Sequence, residues 1–259
     1  MFIGILVFLV GMCIGSFLNV CIYRIPQEKS VVSPPSSCPG CGEKLKAIDL
    51  IPVLSFILLK GKCRNCNARI SLQYPLVELL TGILWLFVYM RYGLTIETLA
   101  LLYLFSVLIP VAFIDLAHFI IPNGLVLAGL LGGIPLYFYH LTVRPVVFYR
   151  SDNWYAPLLG MVSASGILFI VALIGLLIYG NDGAMGMGDV KIFLPIGLFL
   201  GWKLALVTLL LSIFIAGIVC IFLLLFRIVE RKSTIPFGPF IVLGTIIVGL
   251  FNDLLFRYY

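Results

Sequence analysis

The chain has 259 residues, of which 62% are hydrophobic and only 11% are charged, and its mean hydropathy is +1.18. An ordinary soluble domain is about 45–50% apolar and about 25% charged. This composition therefore excludes a water-soluble enzyme, a disordered chain and a nucleic-acid-binding module. We expect a polytopic membrane protein built from helices, with the lipid bilayer as its surroundings and no nucleic-acid partner.

Eight apolar runs follow one another along the chain and predict an all-α fold of about eight transmembrane helices. The predicted spans are 2–23, 74–90, 98–121, 124–141, 157–179, 190–201, 204–226 and 239–256. The first run has no basic flank before it and no small-residue cleavage site after it, so we expect a retained span instead of a signal peptide. The predicted organisation is a first transmembrane helix at 1–23, a cytoplasmic loop at 24–73 and a transmembrane core at 74–259.

The distribution of basic residues predicts the orientation. The loop at 24–73 carries eight Lys and Arg residues. With eight spans, four of the other nine fall on the same side as this loop and five on the opposite side, which gives twelve against five. Basic loops are retained in the cytoplasm, so we expect the N-terminus outside and the loop inside. A cytoplasmic loop also agrees with reduced cysteines.

That loop contains two Cys-x-x-Cys pairs separated by 21 residues, formed by Cys38, Cys41, Cys63 and Cys66. Two such pairs have the spacing of a tetrahedral thiolate site for Zn²⁺. Four protein sulfurs leave no open coordination position, so the ion would be structural and would help a short loop to fold. The alternative is a pair of disulfides or free thiols.

Two aspartates lie at the ends of apolar runs, Asp115 in the third and Asp189 at the start of the sixth. The span order places both at the cytoplasmic border, where a carboxylate is costly unless it is protonated, paired or wetted. Two adjacent carboxylates share a proton and can act as a general acid and base. Gly186 and Gly188 leave the backbone beside Asp189 bare for an extended peptide. The alternative is that each aspartate caps a helix or pairs with a cation, such as Lys191.

The segment 236–239, Pro-Phe-Gly-Pro, precedes the last apolar run. Because proline restricts the backbone, this segment predicts a rigid connection that shapes the start of the last helix and takes no part in a reaction.

Taken together, these motifs resemble the type IV prepilin peptidases, bifunctional leader peptidases and N-methyltransferases of bacterial membranes. The resemblance covers nearly the whole chain in the right order. It rests on Gly15-Ser16-Phe17-Leu18-Asn19-Val20 with Arg24 and Pro26, the two cysteine pairs with Ile51-Pro52-Val53-Leu54-Ser55 between them, Tyr74-Pro75-Leu76-Val77-Glu78-Leu79-Leu80, Asp115 with Ile121-Pro122-Asn123, and Gly186-Met187-Gly188-Asp189.

The resemblance implies that Asp115 and Asp189 cleave the basic leader of type IV prepilin or pseudopilin precursors at the cytoplasmic border of the bacterial inner membrane. It also implies S-adenosylmethionine-dependent methylation of the new N-terminal amine. The sequence has no independent binding signature for this methyl donor. Under the resemblance, Asn19, Arg24 and Glu78 are polar residues that could line its site.

Two other functions are compatible with the same residues. An ion-coupled transporter could carry protons or cations on the two aspartates. Transporters usually have internal repeats and acids at the membrane midplane, whereas this chain has no repeat and both acids at one border. A non-catalytic assembly factor could recruit partners through its zinc loop, with the aspartates serving only the structure.

Overall fold

A computed structural model describes residues 2–149, 153–180, 186–230 and 233–255. The described residues form helices and no β-strand, apart from two isolated bridges in the cysteine loop. The chain divides into two units, Met1–Leu94 and Thr95–Tyr259. This division is the one that the structure gives, and the three-part organisation expected above stays a prediction.

The first unit consists of two long helices and the cysteine loop that connects them in the sequence. Its helices are α1 (Phe2–Arg24), the short α2 (Leu54–Leu58) and α3 (Gln73–Tyr92). Small residues of α1 let it pack closely on α3, and a Cβ on Gly15 would lie only 2.7 Å from the Cα of Glu78. Short 3₁₀ turns at Ile25–Gln27 and Ala47–Leu50 shape the loop between α1 and α2.

The described residues of the second unit form five α-helices and a 3₁₀ turn at Val147–Tyr149. The α-helices are α4 (Ile96–His118), α5 (Asn123–Thr142), α6 (Ala156–Tyr179), α7 (Met187–Leu225) and α8 (Gly238–Leu255). The most buried of the long helices is α4, which packs on α5 and α8. The helix begins at the N-cap Thr95, whose hydroxyl accepts a hydrogen bond from the amide of Thr98. It ends where Phe119 takes the left-handed conformation, three residues before Pro122. The third predicted span, 98–121, therefore extends past the helix.

Within the described residues, six helices are long and apolar enough to cross a membrane: α1, α3, α4, α5, α6 and α7. The apolar part of α8, Gly238–Asn252, is shorter. Large apolar side chains are exposed on the outside of these helices. On α6, for example, Ile170, Val171 and Leu177 are exposed. Such surfaces need lipid around them. The protein is therefore an all-helical, polytopic membrane protein, as predicted.

The helix α7 is 39 residues long but is not continuous. Gly201 has φ 74° and ψ 172°, a conformation that glycine adopts at little cost and that interrupts the helix. The sequence predicted two spans here, with Trp202 and Lys203 between them. Close packing of α6 on α7 fixes this region, because Gly160 and Gly197 touch backbone to backbone and a Cβ on either would overlap the other.

Candidate active site and metal centre

Asp115 lies in the last turn of α4, and its side chain faces the interior of the second unit. It is only 5% exposed. Its backbone carbonyl accepts the hydrogen bond of Phe119 that ends the helix, at 2.8 Å. Its carboxylate oxygen Oδ2 accepts a hydrogen bond from the amide of Gly238, also at 2.8 Å. The carboxylate of Asp115 thus binds the first amide of α8, a contact that the helix-capping alternative also predicts.

Asp189 lies in the first turn of α7 and is half-buried. The positive end of a helix stabilises a carboxylate in this position. Asp115 and Asp189 are close enough to repel each other electrostatically. The structure thus brings together the two aspartates that the sequence singled out, 74 positions apart in the chain, within the second unit.

Two contacts hold the start of α7 against the turn that follows α4. A Cβ on Gly188 would lie 2.9 Å from the Cβ of Ile121, so this glycine is needed for the close approach. Lys191 donates a hydrogen bond from Nζ to Oδ1 of Asn123 at 3.1 Å. Gly186, by contrast, is exposed, and a Cβ there would only reach van der Waals contact with the Asp189 carboxylate.

Gly238 is the residue at this site that the sequence analysis missed. It begins α8, as expected of the segment 236–239, but its amide also bonds to Asp115. A Cβ on Gly238 would lie 2.7 Å from Oδ2 of Asp115. Nothing in the sequence marks a backbone amide as a donor to a side chain 123 residues away. The available signal was a glycine placed just before a proline at the start of an apolar run.

The four cysteines of the loop converge in the first unit. Their sulfur atoms all lie within 4.8 Å of one another, and the sulfurs of Cys38 and Cys66 are 3.8 Å apart. Thiolates bound tetrahedrally to Zn²⁺ at about 2.3 Å would be about 3.8 Å apart. All four thiols are free, so the disulfide alternative is not what the structure contains. The donor set and its spacing fit a metal ion.

Both Cys-x-x-Cys turns have the same backbone design. In the first, the amide of Cys38 donates a hydrogen bond to the carbonyl of Glu43, and the amide of Gly42 donates one to the carbonyl of Cys38. Cys63, Ala68 and Asn67 repeat this pattern in the second turn. Gly42 and Asn67 both have positive φ, at 73° and 58°. The positive φ of Gly42 therefore gives the first pair a tight turn, and Asn67 does the same for the second.

Electrostatic contacts support the second cysteine turn. Amide hydrogen bonds from Cys66 and Asn65 lower the pKa of the Cys63 thiol to about 7, which favours the thiolate that a metal requires. Arg64 forms an ion pair with Asp49, with distances of 2.9 Å from Nε and 2.7 Å from Nη2 to Oδ1. The hydrogen bonds from Arg64 lower the pKa of Asp49. This pair ties the second cysteine turn to the 3₁₀ turn at Ala47–Leu50.

Of the three residues expected to line the methyl-donor site, Asn19 and Glu78 lie at the interface of α1 and α3. Asn19, 2% exposed, donates from Nδ2 to the carbonyls of Gly15 and Tyr74. Its Oδ1 is buried and has no hydrogen-bond partner among the described residues. Glu78, 7% exposed, accepts a hydrogen bond from the amide of Val53 at 2.7 Å.

Arg24 lies at the end of α1 and is directed towards the loop. It donates to the backbone carbonyls of Ser30 at 3.0 Å and Pro35 at 3.5 Å. These bonds fix the first residues after α1, on the path to the cysteine turns.

Two protein families match the chain. Residues 9–92 match the bacterial peptidase A24 N-terminal domain, and residues 102–221 match the type IV leader peptidase family. A prepilin leader peptidase/N-methyltransferase of Bacillus subtilis (strain 168) is 34% identical over 98% of this chain and 96% of its own length. The chain belongs to the type IV prepilin leader peptidase family.

Other members of the prepilin leader peptidase family give the same result. The prepilin leader peptidase/N-methyltransferase of Aeromonas salmonicida (strain A449) is 34% identical over 98% of this chain and 92% of its own. That of Pseudomonas aeruginosa (strain PAO1) is 31% identical over 97% and 91%. No solved structure matches the chain. The resemblance drawn from the sequence motifs is thus confirmed.

The two family matches correspond to the two structural units of this prepilin peptidase. The N-terminal match falls in the unit that holds the cysteine cluster and Glu78. The leader peptidase match falls in the unit that holds Asp115 and Asp189. The second match ends at residue 221, so Gly238 lies outside it.

Proposed function

We propose that this protein is a membrane aspartyl endopeptidase that removes the basic leader from type IV prepilin or pseudopilin precursors and then N-methylates the new N-terminus. The buried carboxylate of Asp115, within electrostatic range of Asp189, is the observation that carries the proposal. Both residues lie in the region that matches the type IV leader peptidase family.

The two aspartates work as a pair that holds one proton. Two carboxylates that repel each other disfavour the state in which both are ionised, so one carboxyl is protonated while the other is not. The ionised member removes a proton from water as the water oxygen attacks the scissile carbonyl, and the protonated member hydrogen-bonds the carbonyl oxygen. Gly186 leaves room for an extended peptide beside Asp189, and Gly188 with Lys191 holds Asp189 in place through Ile121 and Asn123.

The membrane topology that suits this reaction has eight spans. An unbroken helix of 39 residues would be about 58 Å long, nearly twice the roughly 30 Å hydrocarbon core, and the break at Gly201 divides α7 into two segments. With α8 as a further span, the distribution of basic residues favours an N-terminus outside, and the cysteine loop, Asp115 and Asp189 would then lie on the cytoplasmic side. A prepilin has its cleavage site between a basic leader and an apolar helix, and this border is the depth at which that junction lies.

The cysteine cluster is proposed to hold one structural Zn²⁺. Four thiolates complete a tetrahedral shell, so the ion would fold the loop and take no part in cleavage. Asn19, Arg24 and Glu78 are proposed to line the site for S-adenosylmethionine, which supplies the methyl group. The buried Oδ1 of Asn19, which has no hydrogen-bond partner among the residues that the structure describes, and the carboxylate of Glu78 are both hydrogen-bond acceptors. Acceptors of this kind suit a cationic amine.

The decisive experiment is cleavage of a pilin-like precursor by the detergent-purified protein, with release of the leader followed by mass spectrometry. Asp115→Asn and Asp189→Asn should each abolish release, while methylation of a pilin that has already been cleaved continues. Asp49→Asn, a matched change in the other unit, should leave cleavage intact. Cleavage that persists in both active-site variants would refute the assignment of the dyad.

A further inference from the structure

The amide of Gly238 and the carboxylate of Asp115 form a contact between the start of α8 and the end of α4. The amide nitrogen lies 2.8 Å from Oδ2, and both residues are buried. The first amides of a helix have no partner within the helix. Phe240 and Ile241, the next residues of α8 with an amide N–H, both bond to the carbonyl of Phe237, so Gly238 supplies the donor that faces Asp115.

A hydrogen bond from an N–H group to a carboxylate favours its ionised form. Each aspartate lies at the start of a helix, Asp115 beside α8 and Asp189 in the first turn of α7, so the helix dipole does not distinguish them, whereas the hydrogen bond from Gly238 favours an ionised Asp115. Because like charges repel, the proposed function has the two aspartates share one proton, so that one is protonated and the other is ionised. The carboxyl that receives the amide hydrogen bond is the one that stays ionised. The proton of the pair then resides on Asp189.

We propose that Gly238 is a positioning residue for leader cleavage, and that it makes Asp115 the general base and Asp189 the general acid. This inference rests on the proposed function. Asp115 takes a proton from the attacking water while Asp189 gives its proton to the carbonyl oxygen. When the tetrahedral intermediate collapses, the C–N bond breaks, the proton on Asp115 passes to the leaving amine, and the hydroxyl proton returns to Asp189.

The residue at 238 has to be glycine for this contact to form. A Cβ would lie 2.7 Å from Oδ2 of Asp115, closer than real Cβ atoms approach, and 3.0 Å from its Cγ. The neighbouring backbone cannot substitute for it, because Pro239 has no N–H. A larger residue would push the amide away from the carboxylate and remove the preference for an ionised Asp115.

Few other charged groups lie on the elements around Asp115. The helices that pack on α4 are α5, α7 and α8. On α7, Asp189 interacts with Asp115, and Lys191 donates to Asn123 at the start of α5. His140 lies near the opposite end of α5. On α4 itself, His118 is exposed. A change at Gly238 should therefore alter the pH dependence through the aspartate pair.

The test compares Gly238→Ala with Gly217→Ala, a change on α7 where a Cβ would meet nothing within 4 Å. Cleavage of a pilin-like precursor is measured from pH 5 to 8, and methylation of a pre-cleaved pilin serves as the folding control. Gly238→Ala should lower kcat by about 10- to 100-fold with KM within about twofold, from the loss of one charge-assisted hydrogen bond. The acidic limb of its pH profile should move to higher pH. Gly217→Ala should behave as the unsubstituted protein.

An unchanged kcat, or a lower kcat with an unmoved pH profile, would overturn the role of Gly238. If Asp115→Asn is inactive while Gly238→Ala is fully active, only this inference fails; if Asp115→Asn still cleaves, the proposed function fails as well. Should Gly238→Ala lose methylation too, hydrogen exchange decides. The amide of Gly238 should exchange about 10- to 100-fold faster in Asp115→Ala, with the amide of Phe240 unaffected, and equal protection in both proteins would refute the contact.

Discussion

The hydrogen bond from the Val53 amide to the Glu78 carboxylate attaches the cysteine loop to α3, at 2.7 Å. Val53 has a φ of 60°, which is unfavourable for a β-branched residue. A hydrogen bond to a charged group contributes about 1.5–3 kcal/mol, which corresponds to about a 10- to 150-fold shift in the equilibrium between attached and detached loop. We expect Glu78→Ala to cause a loss of this size, and Glu78→Gln, which keeps an acceptor, to cause a smaller one.

Hydrogen exchange at the Val53 amide measures this effect directly in the detergent-purified protein. The amide should exchange about 10- to 150-fold faster in Glu78→Ala, and methylation of a pre-cleaved pilin should fall while precursor cleavage continues. Glu43→Ala, which changes an exposed glutamate of the same loop, is the matched control and should alter neither quantity. Unchanged protection of Val53 in Glu78→Ala would show that other contacts hold the loop, and the reasoning would be wrong.

Three further predictions concern the loop and the start of α7. Replacing Cys38 and Cys63 by serine should release bound zinc, measured with a colorimetric chelator, and should impair methylation more than cleavage; equal losses would mean that the metal supports the peptidase site. The pKa of Asp49 is lowered by its arginine partner, so its contribution to stability is complete above about pH 4 and is lost as the pH falls further. Thermal unfolding of Asp49→Asn should thus approach that of the unsubstituted protein in acid, and a constant difference down to pH 2 would contradict the ion pair. Lys191→Ala removes the hydrogen bond to Asn123 and should lower kcat for cleavage by about fivefold, a partial loss for a solvent-exposed charged contact, without affecting methylation; an unchanged kcat would mean that α7 is held by other contacts.

The positions of the long helices follow closely from the sequence. The predicted spans 2–23, 124–141 and 157–179 correspond within about two residues at each end to α1, α5 and α6. A run of apolar residues must satisfy its backbone hydrogen bonds internally when it lies in lipid, so hydropathy alone predicts a helix there. Hydropathy does not predict the end of a helix where the backbone conformation, and not a polar residue, ends it. The third span extended to residue 121, whereas α4 ends at His118 because the next residue turns into the left-handed region.

The sequence by itself determined the solvent, the helical class, the family and the four cysteines that form one cluster, because each depends on residue type and short spacing. Only the tertiary structure decided which groups donate hydrogen bonds to the functional carboxylates. The partners of Asp115 and Glu78 are backbone amides, those of Gly238 and Val53, and an amide is common to every residue except proline. Which amide lies beside a given carboxylate depends on the packing of helices and loops that are far apart in the sequence. No local pattern of residues encodes that packing.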